Sequence, residues 1–166
     1  MTLLTRSLSK THNLIGKPVL ARIHKLIPFR LKKKIIEEVL NRAFKQVIDD
    51  GDLEFLKGKV IVLNLSDLNE SIFIGWNSSL QVLPRGEYDV EIRGDLDEFV
   101  TLALRKEDPD TLFFQRRICI QGDTELGLAV KNLIDSVDLE ELPGAIRKGL
   151  SITETLYPYL MPSGAR

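Results

Sequence analysis

A chain of 166 residues is one domain's worth, large enough for folding to bury roughly 70% of the unfolded surface, and its single cysteine excludes an internal disulfide. The fold thus neither needs nor reports an oxidising compartment, and the cytoplasm is the expected one; no apolar stretch approaches the roughly 20 residues that a membrane-spanning helix needs, so an integral helical membrane protein is excluded. The formal net charge of −1 hides an asymmetry: residues 1–36 carry nine bases and no acid, and the remainder carries a net −10.

The basic segment comes first. Leu3, Leu4, Leu8, Leu14, Ile15, Val19, Leu20, Ile23, Leu26 and Ile27 are interleaved with its bases, a mixture that suits an anionic membrane surface better than nucleic acid. Residues 1–27 are therefore read as a basic amphipathic arm. The expected membrane-contacting cations are Arg6, Lys10, Lys17, Arg22 and Lys25, with Lys32 and Lys33 of the following segment. Two other readings fit the same composition: a helix packed on the domain with its basic side solvated, and a mitochondrial transit peptide.

Pro28 opens the longest predicted helix, with Leu31, Ile35, Ile36, Val39, Leu40, Ala43, Phe44, Val47 and Ile48 on one broad face and Lys32, Lys33, Glu37, Glu38, Arg42, Lys45 and Asp49 on the other. Gly51 is placed to end it in a left-handed conformation. Val60–Leu65 is apolar at nearly every position and reads as a central strand. Ile72–Trp76, Leu80–Leu83 and Tyr88–Arg93 follow across short turns, which predicts antiparallel pairing. The last alternates, with Tyr88, Val90 and Ile92 inward and Asp89, Glu91 and Arg93 toward water.

Asp95 and Glu98 form a capping-box pattern for a helix bearing Leu96, Phe99, Val100, Ala103 and Leu104. Asp108 can cap a short helix beginning at Pro109 and carrying Leu112, Phe113 and Phe114, with Arg116 and Arg117 at its end. Ile118–Ile120 reads as a fifth, buried strand. Gly122-Asp123 turns the chain into a helix with Leu126, Val130, Leu133, Ile134 and Val137 at helical spacing. From Leu142 to Tyr157 a weaker helical pattern contains Gly144 and Gly149. The expected organisation is one α+β domain over residues 28–160, a mostly antiparallel five-stranded sheet covered by helices, with helical extensions at both ends and a tail at 161–166.

Catalytic constellations are sparse. The only histidines, His12 and His24, lie in the arm, so no Ser/His/Asp or Cys/His arrangement can form in the body. One cysteine and two distant histidines have no metal-ligand spacing. Cys119 between two isoleucines reads as a buried small apolar residue. Asp108, Asp110, Asp123 and Glu125 fall in helix first turns, where capping accounts for them. No glycine-rich phosphate loop is present, and neither cofactor nor metal is expected. What the body does hold is apolar surface: Phe73, Trp76, Phe99, Phe113, Phe114 and the Leu126–Val137 segment. The residues alone leave open whether that surface closes on itself or leaves a tunnel.

The run Asp108-Pro-Asp-Thr-Leu-Phe-Phe-Gln-Arg-Arg117, the turn Gly122-Asp-Thr-Glu-Leu-Gly-Leu128, Lys131-Asn132-Leu133, Asp50–Leu56, and Leu139-Glu140 with Pro143 resemble the bacterial ubiquinone biosynthesis accessory factors of the sterol carrier protein 2 (SCP2) family. The resemblance spans roughly residues 28–150. It implies an SCP2-like fold with a lipid-sized cavity between sheet and helices, and Phe73, Trp76, Phe99, Phe113, Phe114, Leu126, Val130 and Leu133 are the candidate lipid-contacting residues. It further implies a non-enzymatic role in oxygen-independent ubiquinone synthesis. The ligands would be prenylated quinone precursors, and the partners the UbiU and UbiV proteins, whose iron–sulfur clusters would carry the redox chemistry. Asn64, Gln115 and Arg116 are candidates for meeting the ligand's head group. A membrane scaffold without bound lipid, and an enzyme acting on a lipid, are the competing classes.

Overall fold

The computed structural model describes residues 28–103 and 105–136, together with helical Gly144 and Lys148. The arm, the tail and most of the predicted C-terminal helix lie outside the described residues. The elements in chain order are helices α1 (Phe29–Ala43) and α2 (Lys45–Asp50), a 3-10 turn at Glu54–Leu56, strands β1 (Val60–Leu65), β2 (Glu70–Trp76), β3 (Leu80–Leu83) and β4 (Val90–Gly94), helices α3 (Leu96–Ala103) and α4 (Pro109–Phe114), strand β5 (Cys119–Gly122) and helix α5 (Thr124–Ser136).

The five strands form one sheet in the order β3-β2-β1-β4-β5. Three of its four pairings are antiparallel, but β4 runs parallel to β1, Ile61 opposite Val90 and Leu63 opposite Ile92. The predicted antiparallel β3-to-β4 hairpin is therefore replaced by a crossover. The reason lies at Asp89. Its N–H donates to Val60 O (2.8 Å) and its carboxylate accepts from Val60 N–H (2.9 Å) and Lys59 Nζ (3.0 Å), so the chain enters β4 beside the beginning of β1. The Asp89 carbonyl then accepts from Asp123 N–H at 3.0 Å, bringing the end of β5 to the same corner.

Strand alternation sorts the sheet into two faces. Ile61, Ile74, Leu80, Val90 and Ile92 belong to the main core with Leu53, Leu56, Leu102, Leu112, Ile118, Leu126 and Val130. Val62 and Phe73, paired in register, lie on the other face and are also buried. Two sequence expectations fail there. Tyr88, predicted inward, precedes β4, is 49% exposed, and rests its ring against Phe73 at 6.4 Å between centroids. Glu91, predicted to meet water, is buried, because Arg93 two residues on lays its guanidinium across the carboxylate (2.9 Å) and Asn64 donates to it at 2.7 Å. Cys119 is half-buried rather than buried, its Sγ 3.4 Å from the Arg116 carbonyl.

Most helix ends follow their sequence cues. Gly51 ends α2 at φ +81°, as expected, though Phe44 breaks the predicted single helix into α1 and α2. Asp108 caps α4, accepting from the N–H groups of Asp110 and Thr111, with Pro109 at the first helical position. Asp123 Oδ1 accepts from Leu126 N–H at 3.0 Å. At α3, Glu98 pairs with Arg117 at 2.5 Å, and the Leu96 N–H goes to Asp67 Oδ1 at 3.0 Å. Arg117 also holds Glu107, so it ties α3 to the segment around α4 where a helix-end role for it was expected.

α1 docks in an unforeseen way. Lys33 and Glu37, from the face predicted to lie opposite the apolar one, run with Asn41 along the edge of β3. Lys33 Nζ donates to Val82 O (2.6 Å), Glu37 accepts from Val82 N–H (2.8 Å), and Asn41 both donates to Leu80 O (2.7 Å) and accepts from Leu80 N–H (2.8 Å). Residues at i, i+4 and i+8 thus occupy the edge strand's outward backbone groups, covering an edge that would otherwise be open to pairing. Turning that row inward leaves Leu31, Ile35 and Val39 of the predicted apolar face 37–50% exposed, and no residue of α1 is fully buried.

Candidate lipid-binding cavity

Between the sheet and the helices lies a cavity of about 280 Å³. Its floor is sheet: Ile61 and Leu63 of β1, Ile74 of β2, Leu80 of β3 and Ile92 of β4. These residues share one face because they sit at alternating positions in register, Ile61 opposite Ile74 and Leu63 opposite Ile92. One wall is α1, through Val39, Leu40 and Ala43, with Phe44 at its break; another is α3, through Phe99, Leu102 and Ala103; a third is α5, through Val130, Leu133 and Ile134. Apart from Arg105 the lining is wholly apolar.

Arg105 stands in a left-handed backbone conformation (φ +50°) just past α3. Its Nη2 donates to the carbonyls of Ile134 and Asp135, both at 2.9 Å, stitching the end of α3 to the last turn of α5 at the cavity rim. A cation at a helix C-terminus also complements the helix dipole. Lys131, one turn earlier, pairs with Asp110 and Asp135 and lies 5.7 Å from the centroid of the Phe113 ring. Those carboxylates raise its pKa, against a smaller opposing effect of burial.

The predicted contact residues separate into three groups. Phe99, Val130 and Leu133 line the cavity. Leu126, Trp76 and Phe113 pack in or against the surrounding core. Phe73 lies beneath the opposite face, and Phe114 projects from the end of α4, 91% exposed. The head-group candidates do not line it either: Asn64 donates to Glu91 on the far face, while Gln115 and Arg116 follow α4. Sequence reasoning missed the sheet floor and α1's contribution, although the fully apolar Val60–Leu65 run and the Val39-Leu40, Ala43-Phe44 spacing are the traces of both. Of the predicted membrane cations, Lys32 pairs with Glu70 at 3.0 Å and Lys33 docks α1; the other five fall outside the described residues.

Among the described residues, one cluster has metal-ligand character: carboxylate oxygens of Asp67, Asp95 and Asp97 lie within 4.8 Å of one another. It sits at the start of α3, where Asp67 already serves a backbone N–H. No helix of these residues is long and apolar enough to cross a membrane.

A helix-covered mixed sheet enclosing an apolar cavity is the arrangement of a lipid-carrier domain, and residues 36–135 match the SCP-2 sterol transfer family, to which this chain belongs. The chain is 45% identical over 134 residues to the ubiquinone biosynthesis accessory factor UbiT of Escherichia coli (strain K12), covering 80% of this chain and 77% of that protein. The UbiT of Escherichia coli O157:H7 matches equally. Among solved structures, a UbiJ-SCP2 ubiquinone synthesis protein superposes with a TM-score of 0.53 at 21% identity, over 65% of this chain and 97% of that one, which supports the fold.

Proposed function

We propose that this protein is a non-enzymatic, lipid-binding accessory factor of ubiquinone biosynthesis that holds prenylated precursors and presents them to the hydroxylating enzymes of an oxygen-independent route. The observation that carries this reading is the cavity: about 280 Å³ of space lined by apolar side chains from sheet and three helices, in a chain similar to UbiT. A prenyl chain gains roughly 0.8 kcal/mol per CH2 on leaving water, but in a cell it leaves a bilayer equally apolar, so uptake is shallow and reversible. Such a protein carries and presents. The redox chemistry belongs to partners, for which UbiU and UbiV are the candidates, and the basic arm with its apolar residues supplies contact with an anionic membrane on which the protein is peripheral and cytoplasmic. Nucleic acid has no place in this scheme.

The test is mass spectrometry of lipid extracted from purified protein, with Val130→Asn as the cavity variant. Wild type should retain prenylated quinone precursors, and the variant should hold less lipid per folded molecule. Because an unsatisfied polar group in a core costs about 1–3 kcal/mol, Tm is measured alongside. A lower Tm with unchanged lipid per folded molecule contradicts the cavity, and absence of any lipid from wild type favours a membrane scaffold.

A further inference from the structure

The apolar cavity has a polar neighbour. Beside it, under the N-terminal half of α1, is a cleft of about 580 Å³ that includes Lys32, Lys33, Asn69, Glu70, Ser71 and Arg85. The two adjoin along the sheet and along α1, with no lining residue in common. Leu63 of the cavity is in register with Ile72 of the cleft, and Ile74 of the cavity with Val82 of the cleft, so these parts of their linings are cross-strand neighbours, while Ser71, Phe73 and Leu83 of the cleft alternate to the other sheet face at its outer side. Above them, Ile36 lines the cleft and Leu40 lines the cavity, one helical turn apart on α1.

The chemistry of the two spaces is complementary. About 280 Å³ lies just under the range usual for a ligand pocket, roughly 300–1,000 Å³, and offers an amphiphile's head only Arg105, already bonded to the end of α5. The cleft is lined by three cations and one acid. Glu70 is paired with Lys32, and Lys33 is held by Val82 O and Glu37, whereas Arg85, exposed just past the end of β3, enters neither arrangement. An oxyanion there meets a guanidinium able to bind it through two N–H groups, in a cleft that Asn69 and Ser71 also line.

We infer that the cleft under α1 is the head-group compartment of the same binding site: an amphiphile with an anionic oxygen head, such as a carboxylate or phenolate, places that head beside Arg85 and passes its tail between Ile36 and Ile72 into the apolar cavity. This rests on the lipid-cavity reading above and adds the ligand's polarity and direction. Loading proceeds tail first from the β3 side of α1. The head remains at the surface, where an enzyme can reach it.

The experiment compares hexadecanoate with hexadecanol, equal in chain length and different in charge, by displacement of a fluorescent fatty-acid analogue from the full-length protein. Wild type should bind the acid about tenfold more tightly than the alcohol, a preference that falls with added salt. Arg85→Gln should abolish the preference and Arg85→Glu should reverse it, with acid affinity changing far more than alcohol affinity in both. A preference that persists in both variants, or is missing from wild type, overturns the inference and leaves the cavity standing. Inorganic phosphate should not displace the acid at matched concentration; displacement would make the cleft a free-anion site and overturn it equally. If neither amphiphile binds wild type, the cavity reading itself falls.

Discussion

Asp89 shows how much topology a single side chain can direct. It lies where β1 and β4 begin and β5 ends, and each of its polar groups is spent on one of them. Gly122 completes the corner: at φ +110° it is left-handed, and a Cβ there would stand 2.3 Å from the Asp89 carbonyl oxygen, so only glycine fits. The Val60 N–H and the Lys59 ammonium hold the Asp89 carboxyl below its ordinary value of 3.8. A folded pKa lower than the unfolded one stabilises the protein above the unfolded value, and that contribution is lost as pH falls through the folded pKa. Acid should therefore erode stability below about pH 4. Asp89→Asn should cost about 1–2 kcal/mol at neutral pH, since it weakens hydrogen bonds to a charged group that is partly solvated, and should flatten the acid limb. Urea denaturation between pH 2.5 and 7 checks this; an unaltered acid limb would remove Asp89 from the account.

At the scale of elements, α1 is the unusual one. It roofs the cavity and its polar neighbour, yet none of its residues is fully buried, and a row of polar side chains fastens it to the β3 edge. Net contributions of such bonds are about 0.5–1.5 kcal/mol each, small beside the packing that holds the core strands. The N–H groups of Leu80 and Val82 are held by α1 side chains, Asn41 and Glu37, and so report directly on its attachment. In hydrogen exchange these two amides should open together and faster than the β1–β2 ladder, and Glu37→Ala with Asn41→Ala should accelerate both while leaving the ladder unchanged. Exchange of Leu80 and Val82 only upon global unfolding would show that α1 is as firmly fixed as the sheet.

For the whole molecule, the charge asymmetry sets the expectation. Nine bases precede the first acid at Glu37, and Lys32 and Lys33 are already engaged within the domain, so in the proposed scheme the arm is the part expected to supply membrane attraction. Each base near an anionic surface contributes about 1 kcal/mol, decaying within a Debye length of roughly 8 Å at physiological salt. Removing residues 1–27 should cut sedimentation with anionic vesicles steeply, with neutral vesicles binding both forms poorly and the domain's Tm unchanged. A fall in Tm with exposure of apolar surface would instead identify the arm as a helix packed on the domain, and equal vesicle binding by both forms would remove it from the mechanism.

What the sequence determined by itself is the set of features whose cause is local. The caps at Asp108 and Asp123, the left-handed stop at Gly51 and the apolar β1 run follow from side chains acting within a few residues of themselves, and the motif wording from Asp108 to Leu128 carried the family. What only the tertiary structure decided depends on distant partners. The crossover that makes β4 parallel to β1 is directed by bonds between Asp89 and Val60, which no periodicity encodes. Lys33 and Glu37 read only as part of the helix's polar face, and Asn41 carried no assignment, because helical spacing cannot know that an unpaired strand edge lies opposite. Glu91 alternates outward as predicted and is buried all the same, because Asn64 and Arg93 close over it. The cavity belongs to the same class: apolar side chains at correct spacing build a closed core or a hollow one alike, and the difference is how far α1, α3 and α5 stand from the sheet.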